Sequence, residues 1–424
     1  SMNTTTRRTI GRYDALLLAS LLWFLAKLLR YAFPPLFETL GAEYDVSTAA
    51  LGSAFTAFML VYAAMQFPSG VLADRIGPVR VLVAGALIAA VGAFAVVVSG
   101  PFLALVGAMI FLGLGTGAHK TVAIGLLTRV YPARSGRALG VHDTFGTFGG
   151  VLAPAIVAGL LASALGDWRA LFLVGGGVAV LLAGATAVRV PRHLHGADSA
   201  AGDPSDDHPS DGTSIEPADG TAQGPGLAAY AKPFRDPGVA GFVALTLCFS
   251  FAYSGVVAFL PLYLARVAGA STTTASLLYG LLFAVSVVQL GTGELSDRVG
   301  RLSVILATLG LATVALVALV LVPDVGPEIA GVPMGTAVVV AAFGIGSHGF
   351  RPVRAAHLES ILPEALAGGG LGAVRTALMG AAAVSPAVVG IVADSASFRA
   401  AFALLLVALA AALVLAASLW RSDR

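Results

Sequence analysis

The chain has 424 residues, of which 57% are hydrophobic and only 11% charged, with 25 lysines and arginines against 23 aspartates and glutamates. Soluble domains carry about 25% charged residues, so this composition excludes an ordinary soluble enzyme and places the chain in a lipid bilayer. No nucleic-acid partner is expected, and the single cysteine, Cys248, allows no internal disulfide and reads as an inert thiol in an apolar run.

In chain order, residues 1–13 read as a short polar tail, followed by apolar stretches long enough to span a membrane at roughly 14–38, 46–72, 79–99, 101–130, 139–164 and 168–189. The first stretch has no small-residue cleavage site and is followed by further spans, so it reads as a span and not as a removable leader. Residues 191–236 then break the pattern. Within them, 196–225 hold seven acids, no lysine or arginine, and many Gly, Pro, Ser and Thr, the composition of a disordered linker. Six more stretches follow at roughly 237–265, 273–294, 302–322, 333–361, 369–393 and 397–420, before a tail of 421–424.

Twelve spans put both termini on one side. That side also receives Arg75, Arg80, Arg134, Arg137, Arg189, Lys232, Arg235, Arg298 and Arg301, whereas Glu43, Asp45, Asp167, Asp324, Glu328 and Asp394 fall on the other. The positive-inside rule makes the basic side cytoplasmic and the plasma membrane the expected location.

The pattern Gly-x-x-x-Asp-Arg-x-Gly occurs twice, as Gly70, Asp74, Arg75 and Gly77 after the second span and as Gly293, Asp297, Arg298 and Gly300 after the eighth. Gln66 and Gln289 precede the two copies by four residues, so everything shares one offset of 223 residues. An aspartate at a helix end pairs with an arginine or caps a neighbouring helix, and glycine lets backbones approach closely. These residues resemble the loop signature after the second and eighth helices of the major facilitator superfamily, the twelve-helix secondary transporters, over nearly the whole chain. The resemblance implies an all-α membrane protein of two pseudo-symmetric six-helix bundles, 14–190 and 237–420. It makes the two motifs part of the gating machinery and leaves the substrate open.

Only three lysines exist, and Lys27 and Lys120 fall inside predicted spans. Lys27 lies halfway along the first span, roughly 15–20 Å from either end at ~1.5 Å per residue, too far for its amine to reach the interface. A charge at that depth costs about 2.5–3.5 kcal/mol and is by default functional. Lys27, Arg30, Tyr31 and Pro34 share one helix face. Thr116, His119 and Lys120 make a similar polar face in the fourth span, and Ser347, His348 and Arg351 do so in the tenth. Counting back 231 residues from Arg351 reaches Lys120, and aligning Pro35-Leu36-Phe37 with Pro261-Leu262-Tyr263 sets Tyr253 opposite Lys27. In the superfamily the first, fourth, seventh and tenth helices line the central cavity, so the resemblance implies that Lys27, Arg30, Lys120, Tyr253 and Arg351 converge there.

Other readings stand beside this one. Lys120 and Arg351 suit gate ion pairs with Asp143 or Glu359, and His119 and His348 suit hydrogen-bonded packing. Arg354, His357, Glu359 and Arg375 are expected at the cytoplasmic surface. Gly113, Gly115 and Gly117 before Lys120 lack phosphate-loop spacing and read as helix-packing residues, and His193 with His195 as a solvated pair, so no metal or cofactor is expected.

The excess of buried bases over acids points to secondary transport of a small organic anion, a carboxylate or sugar acid. Lys27, Arg30, Tyr31, Lys120, Tyr253, His348 and Arg351 would bind it, and His119, His348 or Asp143 would carry a coupled proton. A phosphorylated or inorganic anion satisfies the same charge pattern, and a proton-coupled drug exporter centred on Asp143 is the rival. A monomer is expected, and no nucleophile, metal cluster or cofactor fingerprint suggests an enzyme.

Overall fold

The structure, a computed structural model, describes residues 4–163, 166–190, 235–322, 328–329, 332–361 and 367–422. The acidic segment 196–225, His193, His195, Lys232 and Asp324 lie outside the described residues, as does the side chain of Arg375.

Among the described residues twelve helical rods follow one another, in the order read from the sequence, and make an all-α membrane protein. Eleven are long and apolar enough to cross a bilayer by length and composition. The other, Met334–Ile361, occupies the tenth place and carries His348, Arg351, Arg354, His357 and Glu359 along its second half. Those side chains lower its hydropathy, as expected of a helix whose polar face meets protein and water instead of lipid.

Rod ends depart from the sequence expectations where local chemistry intervenes. The first rod runs Thr4–Tyr31, breaks at Ala32, and resumes as Phe33–Tyr44, with Pro34 in the first turn, where a missing N–H costs nothing. Ser47 caps the second rod by accepting from Ala50 N (3.2 Å), and Ser271 caps the eighth by accepting from Thr274 N (3.1 Å). The second rod is interrupted at Met65 and continues as Gln66–Ile76; the eighth passes through a tighter turn at Val285–Val288 and continues as Gln289–Val299. Both rods therefore extend beyond their expected ends at 72 and 294 and stop at the motif glycines, Gly77 (φ 98°) and Gly300 (φ 91°). A side chain in that left-handed region is strained, which is why glycine closes both motifs. Among the described residues the only strands are Glu328–Ile329 and Val332–Pro333, a small antiparallel pair before the tenth rod.

Within the first half, the third rod packs on the fourth and sixth and the first on the fifth; in the second half the ninth packs on the tenth and twelfth. Two seams join the halves, the second rod against the eleventh and the fifth against the eighth. At the first seam the backbones nearly touch: a Cβ on Gly52 would stand 2.2 Å from the Pro386 carbonyl oxygen. One on Gly390 would stand 2.6 Å from that of Thr48.

The halves meet firmly on the face opposite the two motif loops. Asp394 of the eleventh rod accepts from Thr48 N (3.2 Å) and Ala49 N (2.6 Å), so its carboxylate caps the second rod from across the seam. Thr272 Oγ1 donates to Glu38 (3.2 Å), Arg266 to Thr48 Oγ1 (3.4 Å) and Ala387 N to Thr56 Oγ1 (3.0 Å). Beneath this belt Phe37 packs on Phe55 and Phe259, with ring centroids 5.8 and 5.2 Å apart. On the motif face, Asp74 pairs with Arg129 of its own half (2.7 Å), and Arg298 with Glu294 one turn back (2.5 Å).

Candidate functional site

A cavity of about 410 Å³ opens between the halves toward the motif face. Its deep wall holds Trp23, Lys27, Arg30 and Tyr31 of the first rod, Tyr62 of the second and Lys120 of the fourth. Tyr253 of the seventh and Arg351 of the tenth complete it, and Arg354 and Glu359 stand nearer its mouth. The size suits a small ligand. Arg354 and Glu359, expected at the cytoplasmic surface, thus line the cavity, because the tenth rod continues its polar face to Ile361. His357 instead turns its ring against Phe242 (4.5 Å).

Arg30 is the most constrained member. Only 7% of its surface is exposed. Its guanidinium lies 4.1 Å from the Tyr62 ring, 5.5 Å from Tyr31 and 5.9 Å from Trp23. Among the described residues no acid pairs with it, and its Nε and Nη2 have no hydrogen-bond partner. The aromatic faces offset part of the charge; the N–H groups remain available.

Lys27 Nζ donates to Tyr31 Oη (3.1 Å) and lies 5.4 Å from the Trp23 ring. Across the cavity, the Arg351 guanidinium is 5.8 Å from Tyr253, whose buried hydroxyl, like that of Tyr279, has no partner among the described residues. Lys120 behaves differently. It touches the same Trp23 face (5.3 Å) but also forms an ion pair with Asp143 of the fifth rod (3.5 Å). Both readings of Lys120 therefore coexist in one geometry, whereas Arg351 forms no ion pair among the described residues.

The two histidines separate. His348 lines a side chamber of about 30 Å³ together with Lys27, Tyr31, Thr147, Gln289 and Arg351. His119 faces away from the cavity, fully buried beside Gly85 of the third rod, where a Cβ on Gly85 would stand 3.3 Å from its Nε2. Thr116 is likewise buried, donating to the Leu112 carbonyl (2.7 Å). The cationic face of the fourth rod thus presents Lys120 alone to the cavity.

Four residues in or beside this site escape a sequence reading. Trp23, within reach of three cations, carries a faint signal: it is one of three tryptophans and sits one turn before Lys27. Tyr62 and Tyr279 are brought in by packing between rods and carry none. His142, adjacent to Asp143, is 1% exposed and stacked on Trp23 at 6.0 Å.

Among the described residues, twelve rods in two halves surround a polar cavity sealed at one face and open at the other, the architecture of an all-α membrane protein with a site between its halves. The chain belongs to the Major Facilitator Superfamily, whose family model matches residues 19–340. It is 30% identical over 175 residues to a probable sulfoacetate transporter, SauU, of Cupriavidus necator, covering 41% of this chain and 40% of that protein. A putative metabolite transport protein of Haemophilus influenzae is 28% identical over 277 residues, 62% of each chain. The chain thus matches about two fifths and three fifths of these relatives' lengths.

Among solved structures, a bacterial homologue of the human lysosomal transporter Spinster, in an inward-facing and unoccupied conformation, superposes with a TM-score of 0.73 at 16% identity, covering 97% of this chain and 98% of that one. The nucleoside transporter NupG superposes at 0.75 with 14% identity, covering 97% and 100%. These two likenesses concern the fold alone.

Proposed function

We propose that this transporter moves a small organic anion, a carboxylate or sugar acid, by alternating access and in company with a proton. Arg30 carries the proposal: a buried guanidinium, without an acidic partner among the described residues, facing a cavity that also holds Lys27 and Arg351. Unpaired buried charge is costly unless a ligand supplies the counter-charge, and a planar guanidinium matches a carboxylate with two parallel bonds. The partial likeness to a protein named for sulfoacetate, which is itself an organic anion, supports the same class. A cationic drug finds less here, because Asp143 is already tied to Lys120.

The proposed setting is the plasma membrane, with the basic motif face and both termini cytoplasmic, so that this cavity faces the cytoplasm. Asp74 and Asp297 then serve the gate, pairing across the halves when the cytoplasmic side closes. Moving one negative charge inward against ~100 mV costs about 2.3 kcal/mol, so uptake of a monoanion requires a coupled cation or an exchanged anion. Asp143 is the proposed proton carrier: protonation releases Lys120 to the anion, and deprotonation recaptures it.

The test is a thermal-shift screen of the purified protein against carboxylates, sugar acids, sulfoacetate, phosphate esters, inorganic anions and cationic drugs, followed by uptake into proteoliposomes under an imposed proton gradient. Stabilisation by organic anions is expected. Stabilisation confined to cationic drugs overturns the reading.

A further inference from the structure

The side chamber behind the main cavity deepens this reading. It sits where four rods from both halves meet, lined by Lys27 and Tyr31 of the first, Thr147 and Gly150 of the fifth, Gln289 beside the eighth rod's break, and His348 and Arg351 of the tenth. Lys27, Tyr31 and Arg351 line the main cavity as well, so the two spaces share a wall of two cations and a phenol. At about 30 Å³ the chamber has room for one or two waters or a single small polar group, and not for a second molecule. Its size depends on glycine: a Cβ on Gly150 would already touch the rings of Phe283 and Tyr31 at 3.4 Å.

Charge supplies the second observation. Lys120 is matched by Asp143, but Lys27, Arg30 and Arg351 have no acidic partner among the described residues. One monoanion leaves two of these three charges unanswered. The three also fall at two separate stations. Arg30 is enclosed by Tyr62, Tyr31 and Trp23 within the main cavity and does not reach the chamber, whereas Lys27 and Arg351 stand at the chamber's mouth. Lys27 and Arg30, three residues apart on one helix, have stems roughly 5–6 Å apart, so the stations are separated by only a few bond lengths.

We propose that the carried anion is a dianion with an acidic group at each end of a short chain. One end binds Arg30, and the other binds Lys27 and Arg351 at the mouth of the side chamber, where Thr147, Gln289 and His348 offer further polar contacts. The inference rests on the organic-anion reading and narrows it. A ligand so held touches Arg30 and Lys27 of the first half and Arg351 of the second, so its two charges together engage all three unpaired cations of the site.

The test uses the purified full-length protein and isothermal titration at pH 8, where both acidic groups are ionised. Diacids of two to five carbons, dicarboxylates and carboxylate–sulfonates, are each compared with their own monomethyl ester, which removes one charge and adds a methyl group, and with their own monoamide, which removes the charge at nearly unchanged size and is scored as the ester is. At least one diacid is expected to bind thirtyfold or more tightly than its ester. Arg351→Gln should cut that preference below threefold by weakening the diacid more than the ester, and Arg351→Lys should retain most of it. The wild-type ratio decides the matter even if a variant fails to fold. Esters that bind within threefold of every diacid overturn the dianion inference and leave the organic-anion reading standing; binding by neither diacids nor esters nor any other organic anion removes both.

Discussion

Replacing Arg30 separates a ligand-binding role from a structural one, because the two roles move stability in opposite directions. Only 7% of the Arg30 surface is exposed, and among the described residues it has no acidic partner and no hydrogen-bond acceptor for Nε and Nη2. If those two groups receive a carboxylate, each charge-assisted bond contributes about 1.5–3 kcal/mol. Losing both costs about 3–6 kcal/mol, and at a factor of ten per 1.4 kcal/mol this is roughly 10²–10⁴ in affinity. Arg30→Met should therefore abolish measurable binding of a weakly held anion. Arg30→Lys keeps the charge but loses the planar fork, and should weaken binding about 10–100-fold, the equivalent of one bond. In the ligand-free protein the same Arg30→Met change removes a buried unpaired cation from between Tyr62, Tyr31 and Trp23, so the melting temperature should hold or rise. Titration calorimetry and thermal unfolding in detergent, on matched samples, read both quantities. The reasoning is refuted if Arg30→Met binds the wild-type anion with an affinity within threefold, or if it loses affinity and melts markedly lower, since either result makes Arg30 a packing residue.

Three further perturbations address coupling and gating. Asp143→Asn leaves Lys120 without its partner, so anion binding should tighten several-fold while proton-driven accumulation disappears and exchange across the membrane persists; wild-type accumulation under a proton gradient would remove Asp143 from coupling. Asp394→Ala deletes a cap that spans the halves, worth about 0.5–2 kcal/mol, and should shift the population toward opening at that face by about 2–30-fold, read as a longer distance between spin labels on the second and eleventh rods. An unchanged distance distribution would show that the remaining hydrogen bonds and the aromatic packing hold the seam without the cap. Asp74→Asn should slow turnover in proteoliposomes with little change in anion affinity, and equal losses of both would place the motif at the ligand instead.

The architecture was legible because its signals are one-dimensional. Twelve apolar runs and two motifs at a common offset can be counted along the chain, and the left-handed glycines at both motif ends, Gly77 and Gly300, repeat that symmetry in the backbone. Rod ends were less legible: the second and eighth rods extend to those glycines through polar residues such as Asp74 and Asp297, which helical hydrogen bonding accommodates and hydropathy discounts. Cations stood out at the site because a charge in an apolar run is conspicuous, and Lys27, Arg30 and Arg351 do line one cavity. Aromatic residues did not stand out. Tyr62 approaches Arg30 only because the second rod leans against the first, and the chain has 22 phenylalanines and 9 tyrosines from which no spacing singles it out. His119 failed in the opposite direction. It lies one position before Lys120, and a 100° step around the helix is enough to carry a side chain from the cavity wall into the packing against Gly85 of the third rod.

How the charges are divided between the halves bears on how binding and movement are joined. Lys27 and Arg30 belong to the first half and Arg351 to the second, and Lys27 and Arg351 are close enough to interact electrostatically. With the cavity empty these like charges repel, and the repulsion opposes closing the motif face. The Asp394 cap and the Phe37 packing hold the opposite face shut at the same time, so the empty protein has reason to rest in the conformation seen here. On the proposed reading an anion set among the three cations turns repulsion into attraction across the seam, so the loaded carrier closes its motif face more readily than the empty one. Neutralising Arg351 should then speed the return of the empty carrier, raising net uptake into vesicles without internal substrate relative to exchange; an unchanged ratio would show that these cations do not slow the empty carrier's return.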